Sequence, residues 1–382
     1  MEKQLVLSTL FAAMEKAGLS RASLARELGV SRETVSKWLK GRSFPRPDKL
    51  LKLALLTGLR LNDLVVRGSP ESEPVIAFRK RGASKTTEKH IARAREMGLL
   101  LKPLTPYLPF DEFIRPTTLK KPTPDYAYVQ RLVAQIRESL GVTSTAAIDY
   151  WHLIKRFMDT QTVLIPVLWG EQGHHENALH IFLLDSETTW IYLNFDVEVH
   201  DLKFWMAHEL GHVLAPQLAG NDGEVFADAF AGALLFPEPL AREAYARIAQ
   251  VRHKGHQVNR IKEIAETHLI SPITVYYEAN HYAKSQGLSP VDLGNGIFGA
   301  AKNLSKEYYS VSEAIFGSEE VRAKDYVAFG KELQSPFFDA LAAYLRDTKK
   351  GPGYLQSVLD VPLVDAHELY AELVRGQKHK KP

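Results

Sequence analysis

The sequence predicts a multidomain protein in which an all-α domain of five short helices precedes an α+β body and a helical C-terminal region. Three observations predict it. Apolar residues recur at helical spacing through the first 66 residues, a proline-rich basic stretch follows, and three strand-like runs then interrupt a helical pattern that resumes to the end. The 382 residues are 45% hydrophobic and 24% charged, a globular composition with room for about two or three domains. Cysteine is absent. That excludes a disulfide framework, a thiol nucleophile and a thiolate metal site, so any metal must be held by His, Asp or Glu.

In the first domain, residues 1–68, Leu7, Leu10, Phe11 and Met14 form one helical stripe, ended by Gly18. Leu24, Ala25 and Leu28 mark a second helix that opens after Ser20 and stops at Gly29. Ser31 caps a third, with Val35, Trp38 and Leu39 facing inward and Gly41 at its end. Pro45 and Pro47 start a fourth helix, and the run from Leu61 to Val66 reads as a fifth. Residues 69–124 contain prolines at 70, 74, 103, 106, 109, 116, 122 and 124 and read as a linker with one helix at Thr87–Met97. Within it, Arg79-Lys80-Arg81 is offered either to phosphate or to solvent.

The body, residues 125–285, opens with helical patterns over about 125–140 and 144–158. Strand-like runs follow at Val163–Trp169, Leu179–Asp185 and Trp190–Phe195, and helices resume over about 200–214 and 223–235. Residues 286–382 are patterned as helices, carry no readable motif and end in the polar stretch Gln377–Pro382.

Charge is unevenly spread. Of 48 Lys and Arg, 24 lie in residues 1–124 with only 12 of the 45 Asp and Glu, so a net charge of +3 hides a basic front on an acidic body. Such a front suits a polyanion. No run approaches 18 uncharged apolar residues, and the N-terminus has acidic residues inside its apolar stretch, so a cytoplasmic protein without a membrane partner is expected.

The sharpest chemical signal is Trp205-Met206-Ala207-His208-Glu209-Leu210-Gly211-His212. Residues i and i+4 share a helix face, so His208 and His212 can present two imidazoles to one zinc ion, with Glu209 beside it as a proton acceptor for metal-bound water. Twelve residues on, Glu224 and Asp228 share a face of a second helix whose buried stripe is Phe226, Phe230 and Leu234. A third ligand and an acid that orients a ligating imidazole would complete a catalytic zinc site, whereas two acids on a solvated face would not. His174 and His175 fall in a turn and read as solvated. Tyr277 and His281, one turn apart, read as core rather than as oxyanion donors.

His208-Glu209-Leu210-Gly211-His212, followed by Glu224-x-x-Ala227-Asp228-x-Phe230-Ala231-x-x-Leu234-Leu235-x-Pro237, resembles the ImmA/IrrE metallopeptidases over about residues 125–285. The resemblance implies a gluzincin-type zinc endopeptidase with His208, His212 and Glu224 as ligands and Glu209 as general base, with Asp228, one turn after Glu224, read as the acid that orients an imidazole. Members of that family cut helix-turn-helix repressors. Phe236 stands where the family often has Met, an apolar exchange that leaves the chemistry intact.

The segment Leu19–Gly41 gives a helix, a turn at Gly29 and a second helix opened by Ser31, which is helix-turn-helix geometry. It looks like an Xre/Cro-type DNA-binding domain over residues 4–66. Arg32, Thr34, Ser36 and Lys37 would then project from the recognition helix into the major groove, and 13 basic against 6 acidic residues over 1–68 suit phosphate contact. The expectation is a regulator that binds double-stranded DNA as a homodimer, at its own promoter, and carries a zinc endopeptidase acting on a repressor or cognate partner. The alternative is an autoregulating repressor, the antitoxin of a toxin–antitoxin pair, whose zinc domain binds or senses without turnover.

Overall fold

The computed structural model describes residues 3–40, 43–67, 74–79, 88–110, 118–170, 178–218, 220–317 and 321–375. The chain divides into two compact units. One is residues 1–74 with Leu183–Asp185, and the other is the remainder from Val75 onward.

The first unit contains α1 (Leu7–Lys16), α2 (Arg21–Leu28), α3 (Arg32–Leu39), α4 (Pro47–Thr57) and the short α5 (Leu61–Leu64). Local sequence sets their ends. Ser20 Oγ accepts from Ser23 N at 3.1 Å and Ser31 Oγ accepts from Thr34 N at 3.0 Å, so both central helices start on a serine cap. Gly29 ends α2 at φ 64°, a left-handed conformation that glycine adopts without steric cost. Leu10, Met14, Leu24, Ala25, Leu28, Val35, Trp38, Leu39, Leu53, Ala54 and Leu64 form one core.

The expectation of a purely helical domain needs correction. β1 (Lys3–Leu5) pairs antiparallel with β2 (Val65–Arg67), so the β-branched pair Val65-Val66 leaves the fifth helix and forms a two-stranded ribbon.

In the second unit, β3 (Val75–Arg79), β4 (Val163–Val167), β5 (Ala178–Leu183) and β6 (Thr188–Asn194) form a sheet of order β3-β5-β6-β4. β3 is antiparallel to β5, and β4 is parallel to β6. Before and between them run α6 (Glu88–Leu101), a 3-10 helix (Lys102–Tyr107), α7 (Tyr126–Ser139) and α8 (Tyr150–Asp159). After the sheet come α9 (Val199–Leu214), α10 (Gly220–Leu235), α11 (Glu238–Ala249), α12 (Lys254–His268) and α13 (Pro272–Ser285). Six further helices, α14 (Gly296–Ser305), α15 (Val311–Phe316), α16 (Ala323–Glu332), α17 (Phe337–Thr348), α18 (Pro352–Leu359) and α19 (Leu363–Arg375), complete the described residues.

Strand alternation divides the sheet between two helical layers. Leu164, Ala178, Ile191 and Leu193 join the core shared with α7 to α13. From the opposite face, Tyr192 donates to Val358 O at 2.8 Å and Trp169 Nε1 donates to Leu359 O at 2.9 Å, against the end of α18. The C-terminal helices are therefore the sheet's second cover.

The stretch read as a linker is also built in. β3 is an edge of the sheet, Tyr107 donates to Asp347 at 2.6 Å, Arg93 pairs with Asp360, and Ala94, Met97, Leu101 and Leu104 are buried. Proline here opens a 3-10 turn at Pro103 rather than marking a free tether. Lys80, Arg81, His174, His175 and Gln377–Pro382 lie outside the described residues.

Candidate functional sites

In the first unit, α3 presents Arg32, Ser36 and Lys37 away from the inward face of Val35, Trp38 and Leu39. Thr34 is half-buried, and its hydroxyl lies 2.9 Å from Ser31 Oγ at the cap. The outward face also carries Glu33 and Lys40, which the sequence pattern does not single out. Glu33 pairs with Lys37 at 3.2 Å along one helix turn, and a carboxylate there can accept from a cytosine amino group.

In the second unit, α9 and α10 pack face to face. Their close approach depends on Gly211: a Cβ at that position would stand 3.0 Å from Ala227 Cα and 3.2 Å from the Phe230 ring. The glycine inside the histidine motif thus lets the second helix reach the first. Phe226, Phe230 and Leu234 are fully buried, as the α10 stripe predicts. The last turn of α10 is tied down by the buried Arg137 guanidinium, which donates to Leu234 O at 2.6 Å and to Thr143 O at 2.8 Å. Burial lowers that guanidinium to about 10.

This packing brings His208, His212 and Glu224 together, with one ligand atom from each within 4.8 Å of the others. The two imidazole Nε2 atoms are 3.1 Å apart, His212 Nε2 is 3.3 Å from Glu224 Oε1, and His208 Nε2 is 3.5 Å from Glu224 Oε2. Ligand atoms at about 2.0–2.1 Å from a tetrahedral ion are separated by about 3.3–3.4 Å; each pair of residues comes close to one such edge, the two Glu224 distances running to different oxygens of its carboxylate. Asp228 stands behind, its Oδ1 3.0 Å from His208 Nδ1. A carboxylate accepts, so Nδ1 donates to Asp228 and Nε2 is the nitrogen that would face a metal once its own proton is lost. Both acids are partly open to solvent while both histidines are buried.

Electrostatics agree with this division. Burial opposes charge on His208, but hydrogen bonds with Asp228 and Glu224 and the negative charge of Glu209 outweigh it and raise the imidazole to about 9. Burial likewise favours the neutral form of Glu224, yet its bonds to His208 and His212 hold the carboxyl well below the usual range. Glu209 is buried beside them.

Sequence pattern alone misses one residue of the site. His180 is the inward polar residue of the apolar strand Ala178-Leu179-His180-Ile181-Phe182, and its ring centre lies 5.9 Å from that of His212. Burial, then the neighbouring His212 and His208, lowers it to about 3 and keeps it neutral. Its signal is a lone polar residue at a core register position. Tyr277 and His281 lie elsewhere. His281 Nδ1 is 3.1 Å from Glu278 Oε1, and Glu278 packs on Gly232, two turns along α10 from Glu224.

The helix-turn-helix family matches residues 10–64, which spans the core of the first unit. No curated protein matches the chain. No helix among the described residues is long and apolar enough to cross a membrane. The first unit is the helix-turn-helix of a DNA-binding transcription regulator.

Proposed function

We propose that this DNA-binding regulator carries a zinc-dependent endopeptidase in its second unit, with a repressor or a cognate partner as substrate, and that it binds its operator as a homodimer. The single observation that supports the enzymatic half is the His208–His212–Glu224 triangle with Asp228 behind it. A zinc ion held there would lower the pKa of a bound water towards about 7. Glu209, buried next to His208, is the carboxylate that would accept a proton from such a water and pass it to the leaving nitrogen of a cleaved peptide bond. Asp228 holds the His208 ring in orientation, and His180 offers a neutral imidazole on the sheet side of the site. A module that only bound or sensed a partner, such as an antitoxin, would have no use for a buried carboxylate at position 209.

Metal analysis and partner cleavage test the reading. The purified protein should hold one zinc per chain, lost in the double variant His208→Ala, His212→Ala. Glu209→Gln should keep the zinc and lose cleavage by about 10²–10⁴-fold, the usual contribution of a general base. Full zinc in the double histidine variant contradicts the site. Cleavage that survives Glu209→Gln contradicts the base.

A further inference from the structure

Strand β3 is the edge strand beside β5, the strand that carries His180. It runs antiparallel to β5 along the outer edge of the sheet, and its register sets Ala77 opposite His180, the residue whose ring packs beside the ligand His212. Paired strands are about 4.8 Å apart, so the main chain of Ala77 stands one strand spacing outward from His180. Sheet edges recognise an extended peptide through its main-chain groups, and main-chain carbonyls are what a metal-activated water attacks. The position in the chain adds a second argument. β3 is the first element of the second unit and directly follows residues 1–74, so a break within it separates the helix-turn-helix from everything that carries the metal ligands.

We propose that β3 is this centre's own substrate, and that the metal-loaded protein cleaves its own chain within Val75–Arg79. This rests on the peptidase reading above. In the step, a bond forms between the water oxygen and a backbone carbonyl carbon of β3, and the adjoining C–N bond breaks. The water proton passes by way of Glu209 to the leaving nitrogen, one water being consumed. The consequence is regulatory: the covalent link between the DNA-binding unit and the residues that carry the metal ligands is cut in a single irreversible event.

The test uses the full-length protein, stripped with a chelator and then given one equivalent of zinc, followed by intact-mass spectrometry. One cut is expected, with both new ends inside residues 75–79 and a first-order rate independent of protein concentration. Glu209→Gln should bind zinc and stay whole. Ala77→Pro, which removes the backbone N–H and fixes φ at the residue opposite His180, should also bind zinc and stay whole. A cut outside this window, a rate proportional to concentration, or continued cutting of Ala77→Pro overturns the proposal. The same zinc-loaded sample is also given a proteome-derived peptide library. Library cleavage with an intact chain overturns self-cleavage alone, and an intact chain with an intact library overturns the peptidase reading with it.

Discussion

Two pairs of consecutive helices carry the two candidate surfaces, and they are built in opposite ways. In α2–α3 the turn is short, Gly29 supplies a left-handed residue, and the second helix turns its polar residues outward. In α9–α10 glycine acts through its missing side chain: Gly211 lets the helices touch, and the polar residues point inward at one another. An outward surface needs only periodicity and caps. An inward one needs a specific partner at a specific distance.

The contrast makes pH the strongest lever on the second pair. Below about 9, metal-free His208 holds a proton that a metal must displace, so zinc affinity should rise nearly tenfold per unit from pH 6 to 8. Titration against a competing chelator reads this directly. An affinity flat with pH would separate His208 from the metal. The first pair offers no such group, and operator binding should change far less over the same range.

On the DNA side, replacing Arg32 and Lys37 together by Ala should weaken specific binding by about 1–3 kcal/mol for each side chain that reads a base edge, or flatten the salt slope by about one for each that meets a phosphate. Fluorescence anisotropy on the protein's own promoter, across a salt series, distinguishes the two. Zinc content should not change. A double variant that loses zinc would break the separation of the two pairs.

Asp228→Asn should keep the triangle but weaken zinc by about 10–100-fold, because the amide accepts the Nδ1–H poorly and no longer carries charge. Unchanged affinity would make Asp228 a solvated acid. Gly211→Ala is expected to be milder: a methyl 3.0 Å from Ala227 Cα should cost about 1–3 kcal/mol in chemical denaturation and weaken zinc, with DNA binding untouched. Full stability would mean that α10 can retreat.

These differences also explain which features are legible in the sequence. Ser20, Gly29 and Ser31 announce α2 and α3, and the pairs His208/His212 and Glu224/Asp228 announce a metal face, because each signal spans one turn of one helix. His180 and β3 cannot be read that way. His180 matters only because β5 lies against α9, and Val75-Ile76-Ala77-Phe78 becomes a strand only by pairing with residues a hundred positions later, amid prolines and basic residues that read as a tether. The two-stranded ribbon β1–β2 is hidden for the same reason, its partners being the two ends of a helical unit.

X-ray absorption at the zinc edge of the loaded protein tests the central claim most directly, namely that α9 and α10 together make a three-ligand centre with one open position. Two imidazole nitrogens, one carboxylate oxygen and one water at about 2.0–2.1 Å are predicted. The carboxylate contribution should vanish in Glu224→Ala and remain in Asp228→Ala. A shell of oxygens without imidazole scattering, or a carboxylate that disappears with Asp228 and stays without Glu224, would contradict the account.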